Sequence, residues 1–254
     1  MEFFVEIDSI VRKIWGKSDT ILFIFAGASA EFALNKAVDW LYFTGRLPQD
    51  PIGRLFSTVS YARHIVFAEK ESALRAIDKM GQIHSQLELN RGYKIPDWAY
   101  RDVLFMLIYY SIASFELLER KLSDSEKYEV FTVFRNVGER MGLKDLPDTF
   151  EDWKTMRNDH LNKDLEKNNY TVHLYEQYKK HLGAIRYALL KEVQILIAPE
   201  QVIQMLSLRK RSPLLLFVPL YKLSRKIKTD IIIKELLLPS EYKSRIKELD
   251  VVVE

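Results

Sequence analysis

The chain has 254 residues, 48% hydrophobic and 12% aromatic, with 38 basic against 35 acidic side chains for a formal net charge of +3. That length and apolar content can bury a sizeable core in one large domain or two small ones, and the near-balanced charge implies no nucleic-acid partner. Nine glycines and eight prolines are few, which disfavours sandwiches, barrels and glycine-rich phosphate loops. The absence of cysteine excludes disulfides, thiolate-ligated haem, iron–sulfur clusters, zinc fingers and cysteine nucleophiles.

The opening M-E-F-F-V-E-I-D lacks a basic region and a small-residue cleavage site. No signal peptide is therefore expected, and a cytoplasmic location is. Phe3–Trp15 carries an amphipathic pattern, and Ser18-Asp19 could cap a helix over Ile21–Trp40. The connector Gly45–Gly53, with two prolines and two glycines, breaks the pattern before an element beginning at Arg54. Helices are then predicted over Glu71–Glu88, Tyr100–Arg120 (opened by Asp97), Lys127–Met141 (opened by Ser123–Glu126 and closed by Gly142), Phe150–Leu165 and Val172–Ala198. Gln201–Ser207 is short, and a helical tail occupies 208–254. Ile21–Ala30 and Val103–Phe115 are apolar, but both fall short of the roughly 18–20 residues that span a bilayer, so they read as buried core helices. The expectation is an all-α fold, a single globular multi-helix domain over 1–254 with long buried central helices.

Within this pattern Ile77, Met80, His84 and Leu87 fall on one helical face, which puts an imidazole in an apolar stripe. Arg54 and Thr58, four apart, project from one side of a helical turn. A neutral imidazole in an apolar wall can hold a haem iron, with nearby polar groups serving bound oxygen; a lone histidine on such a face is more usually a core histidine with one hydrogen bond. Other chemistries lack their residues. None of the five histidines has a glutamate three positions before it, as a carboxylate-bridged di-iron bundle would want. His-Glu-x-x-His, Gly-x-Ser-x-Gly and the Walker and Rossmann glycine patterns are absent as well. The run M-R-N-D-H-L over Met156–Leu161 reads as a surface cluster, because adjacent helical residues point about 100° apart. His173 and His181, among Lys, Gln and Tyr, read as solvated.

The order Arg54-Leu55-Phe56-Ser57-Thr58, then His84, then the apolar Tyr100–Arg120 helix resembles the MpaB/rubber-oxygenase (latex-clearing protein) superfamily of all-helical haem b proteins. M-G-L-K-D-L-P over Met141–Pro147, Y-K-K-H-L-G over Tyr178–Gly183, I-A-P-E over Ile197–Glu200 and E-L-L-L-P-S-E-Y-K over Glu235–Lys243 resemble later parts of that family. The resemblance runs from about Gly27 to Lys243. It implies haem b with His84 as proximal iron ligand, and Arg54 and Thr58 as polar groups at the haem and its pocket with catalytic roles. The activity it implies is oxidation, with dioxygen, of a hydrophobic and often unsaturated small molecule. The alternative is a helical interaction or lipid-binding protein that has lost the haem.

Two departures stand out. Ser57 occupies the position where some rubber oxygenases carry a distal lysine, and Val38-Asp39-Trp40 replaces the family's usual His-Pro. Asp39 could stand in for an acidic base or be a helix-boundary carboxylate. In the tail, Leu214–Leu220 lies between Arg209-Lys210-Arg211 and Lys222, Arg225, Lys226 and Lys228. Apolar anchors flanked by cations suit peripheral contact with an anionic membrane through Leu214–Lys228; alternatively the leucines pack on the core and the cations stay solvated.

Overall fold

In the computed structural model, which describes residues 2–43, 45 and 49–226, the chain is all-α. The helices are α1 (Ile10–Trp15), α2 (Ser18–Phe32), α3 (Asp39–Phe43), α4 (Pro51–Phe67), α5 (Lys70–Arg91), α6 (Asp97–Leu118), α7 (Asp124–Arg140), α8 (Phe150–Lys163), α9 (Asn169–Ile197), α10 (Glu200–Met205) and α11 (Val218–Lys226). A 3₁₀ turn spans Pro213–Leu216. The predicted closing segment Glu235–Lys243 and the rest of the tail beyond Lys226 lie outside the described residues.

Local chemistry sets several boundaries. Ser123 accepts from the Glu126 backbone N–H while the Glu126 carboxylate accepts from the Ser123 N–H, a reciprocal cap that starts α7. Asp50 caps α4 through the Gly53 N–H, with Pro51 in the first turn. At the start of α2 the cap position is Lys17, and Asp19 instead turns its carboxylate to the Thr20 N–H and is fully buried.

The core is built around α6, which packs along α2, α7 and α9. Its Leu104, Phe105, Met106, Ile108, Tyr110 and Phe115 are all buried, as expected of a central helix. From the short α1, the fully buried Trp15 donates its indole N–H to Ser111 of α6 at 3.1 Å. The approach of α2 to α6 needs Gly27. A Cβ there would stand 2.2 Å from the Tyr110 ring and 2.9 Å from Ile197.

Two expected elements are shorter than their sequence pattern. The Phe3–Trp15 pattern becomes helical only at Ile10, because Phe3 forms an antiparallel bridge with Glu69. The Ile21–Trp40 helix stops at Phe32. There the backbone turns aside to pair with the segment after α8: the Lys36 N–H donates to Asp164 O at 3.0 Å, and the Glu166 N–H donates to Leu34 O at 2.7 Å. Once those groups are committed outside the helix, the i to i−4 ladder cannot continue through them.

Helix α9 contains a sharp break at Gly183, whose φ of 73° and ψ of 171° are open essentially to glycine alone. The helix continues in a new direction beyond it. This break lets Leu182 and Arg186 face the same cavity, described next.

Candidate functional site

A cavity of about 220 Å³ lies between α2, α4, α6 and α9. Its wall is largely aliphatic and aromatic, with Leu22, Phe23 and Phe32 from α2, Ile52 from α4, Met106 and Leu107 from α6, and Leu189, Leu190 and Val193 from the second part of α9. Among the described residues the polar lining comprises Ser29, Arg54, Thr58, Tyr178 and Arg186, with no carboxylate. The three hydroxyls are engaged within the wall. Ser29 donates to Ala26 O at 2.7 Å and accepts from Gln194 at 3.1 Å, and Tyr178 donates to Ser29 O at 3.4 Å. Such a wall offers an incoming molecule mainly apolar contact, with cationic groups at Arg54 and Arg186.

Arg54 and Thr58 meet as their spacing predicts. The Arg54 Nη1 donates to Thr58 Oγ1 at 3.2 Å, and the Thr58 hydroxyl donates to the Arg54 carbonyl at 3.2 Å. Both line the cavity, whereas Ser57 between them is exposed.

His84 sits half-buried on α5, in line with the fully buried Ile77 and the partly buried Met80. Its ring lies 5.1 Å from the Tyr100 ring, centroid to centroid. Tyr100 is held by Glu88, whose Oε1 accepts from the Tyr100 hydroxyl at 3.0 Å and from the Ile95 N–H at 2.9 Å. The Nδ1 of His84 is buried and has no hydrogen-bond partner among the described residues, an uncommon state for a buried polar atom. Burial pushes the imidazole pKa down and the Arg54 guanidinium pushes it further, against a weaker upward pull from Glu88. Both effects favour the neutral ring, the form in which a histidine nitrogen binds a metal. His84 is not itself in the cavity lining; Arg54 is the group that both faces the cavity and acts on His84.

Asp39 opens α3 and pairs with Arg91 at the end of α5, at 2.5 Å. That guanidinium also lies 4.0 Å from the Trp40 ring centroid and 4.6 Å from that of Tyr93. Of its two readings, the helix-boundary carboxylate is the one that this pairing supports.

A second polar group is buried between α2, α6 and α8, and the sequence reading missed it. Arg157 of α8 donates from Nη1 and Nη2 to the two carboxylate oxygens of Glu31 on α2, and Tyr110 donates to Glu31 Oε2 at 3.0 Å. His160, one turn after Arg157, lies with Nε2 against Asp102 of α6 and with Nδ1 3.0 Å from Asp164. Asn35 donates to the other Asp102 oxygen. Arg157 and His160 are 4% and 5% exposed, so the surface-cluster reading of Met156–Leu161 is overturned. The available signal was periodicity. Trp153, Arg157, His160 and Leu161 fall on one helical face, and Glu31 follows Ile24 and Gly27 at helical spacing. Glu31, Asp102 and His160 each bring a ligand-type atom within 4.8 Å of the others. Arg157 occupies both oxygens of Glu31, however, and His160 faces Asp102, a pairing of opposite charges by which buried charge is normally tolerated.

The solvated readings of His173 and His181 also need correction. His173 is half-buried between the Tyr42 hydroxyl at 3.0 Å and Gln177 at 3.2 Å, and His181 has a buried Nε2.

Among the described residues no helix is long and apolar enough to cross a membrane. No curated protein matches the chain significantly, and no solved structure does. One protein family does match, that of the ER-bound oxygenase mpaB/B'/Rubber oxygenase, catalytic domain, over residues 14–225. With most of its length so matched, the chain belongs to the mpaB/rubber-oxygenase catalytic-domain family.

Proposed function

We propose that the protein is a haem b-dependent oxygenase that acts with dioxygen on a hydrophobic small molecule. The observation that carries this reading is the buried Nδ1 of His84, which has no hydrogen-bond partner among the described residues, together with Arg54, which opposes the charged form of that ring and lines an apolar cavity. The residues present fit the group: a neutral imidazole is a suitable iron ligand, and a guanidinium is a suitable partner for a propionate. His84 would hold the iron, and Arg54 and Thr58 would be the polar groups beside it. When bound, haem supplies the electron chemistry that dioxygen needs, which no side chain can.

The chain's own residues do the rest. Tyr100, fixed by Glu88, sets the orientation of the His84 ring. Arg54 contributes a permanent positive charge, and its bond to Thr58 limits where that charge can move. The aliphatic wall from α2, α6 and α9 excludes water and selects an apolar substrate.

A second reading follows from the absence of His84 from the cavity lining: a helical protein that binds apolar ligands in this cavity without iron. One experiment separates the two. The absorption spectrum of protein expressed with haem precursor is compared with that of His84→Ala. A Soret band lost or shifted in the variant supports the oxygenase, and oxygen uptake with apolar alkenes then tests the reaction. A colourless wild type that stays so during hemin titration removes the oxygenase reading and leaves the ligand-binding one.

A further inference from the structure

The segment after α10 carries its apolar side outward. Leu215, Leu216, Phe217, Leu220 and Leu223 are between 54% and 81% exposed. Tyr221, Lys222 and Arg225 of the same segment point inward and fasten it. Tyr221 donates to the buried Asp19 at 2.9 Å, and Arg225 pairs with Asp19 at 3.0 Å and with Glu119 at 2.6 Å. Lys222 donates to the Glu119 carbonyl at 3.2 Å, and Leu214 packs on the core. A surface helix of a globular protein normally does the reverse, burying its apolar stripe. A contiguous exposed apolar patch marks an interaction site.

Charge decides what the partner is. Between Glu200 and Asp230 the sequence has seven lysines and arginines and no carboxylate, in a chain otherwise close to balance. Lys210 and Arg211 stand exposed at one end of the patch, while Arg209 is tied to Glu192 of α9. Outward leucines and a phenylalanine bordered by cations match the acyl boundary and headgroups of an anionic lipid surface.

We propose that residues 209–226 dock the protein on an anionic membrane surface, with Leu216, Phe217 and Leu220 inserted at the acyl boundary and Lys210 and Arg211 among the headgroups. The strap lies against the part of α9 that builds the cavity. Glu192 holds Arg209, while Leu190 and Val193 of the same turn line the cavity. Docking therefore brings the membrane to the helix that walls the cavity. The proposal does not depend on the haem.

The test is flotation of the full chain with phosphatidylcholine vesicles containing phosphatidylserine, against phosphatidylcholine alone, at low and high salt. The expected result is binding to the anionic vesicles that weakens with salt. Lys210→Glu with Arg211→Glu should weaken partitioning roughly tenfold or more, and Leu216→Asp with Leu220→Asp should abolish it. All four positions are exposed, so thermal unfolding should be unchanged. Equal binding to neutral vesicles, no binding at all, or binding unaffected by the two aspartates would overturn the proposal. So would a dimer by size exclusion that the aspartates dissociate, because the patch would then be a contact between copies.

Discussion

Arg157 grips both carboxylate oxygens of Glu31, a residue 126 positions earlier in the chain. Around this pair Tyr110 and Asp102 arrive from α6, so the contact ties α2, α6 and α8 at the centre of the fold. The two side chains have 5% and 0% exposure, and water cannot replace a lost partner.

Removing one side of the pair should therefore be costly. Arg157→Leu leaves Glu31 buried with Tyr110 as its hydrogen-bond donor and the Asp102 carboxylate within 4.8 Å, and a loss of about 3–5 kcal/mol is expected. Urea unfolding measures it. Glu31→Leu together with Arg157→Leu should recover much of the loss, because no buried charge is then stranded.

The same network predicts a pH dependence. Burial alone would push the His160 imidazole pKa down, but the hydrogen bond and charge of Asp102, with Glu31 behind it, outweigh burial and raise it despite Arg157. A raised histidine contributes stability that is fully present below its ordinary value of 6.5 and is lost as pH climbs through the folded value. Asp102 is itself raised by burial, against the pull of His160 and Arg157, so its own slope has the same sign but sets in from 3.8 upward. Melting temperature should thus fall on the alkaline side of 6.5, and His160→Gln should flatten that slope. A slope unchanged in the variant would assign it to other groups.

Gly183→Ala should destabilise by about 1–3 kcal/mol, because alanine at φ 73° and ψ 171° is strained even though no atom of the described residues lies within 4 Å of a Cβ there. Relief by straightening α9 would move Leu182 and Arg186 at the cavity. A reduced affinity for an apolar fluorescent probe, beside a lowered melting temperature, is the expected pair of readings.

Gly27→Ala tests the contact between α2 and α6. The added methyl meets the Tyr110 ring, which cannot swing away while its hydroxyl is bonded to Glu31. A loss of about 1–3 kcal/mol is expected from overpacking. Combining it with Tyr110→Leu, which opens space but gives up the hydroxyl, should cost less than the two changes added together.

Local signals that operate within a few residues were legible. The Ser123–Glu126 cap, Gly142 after α7 and the apolar run of α6 each read correctly, since a cap bond or a buried stripe depends on near neighbours in the chain. The facing of Arg54 and Thr58 followed from a four-residue spacing on one helix. The end of α2 was not legible, because it is set by backbone bonds to Asp164 and Glu166. Nor was the fate of Met156–Leu161, whose burial depends on carboxylates brought in by α2 and α6.

By itself, the sequence determined an all-helical chain, the helix that carries His84, the turn that carries Arg54 and Thr58, and the family resemblance that the match over 14–225 bears out. These rest on periodicity, caps and short motifs, which short-range physics governs. Only the tertiary structure decided which charges are buried and which leucines are not. It paired Glu31 with Arg157 inside and left Leu216 and Leu220 outside. A side chain's surroundings come from distant helices, and a buried charge is stable only where its partner arrives in three dimensions.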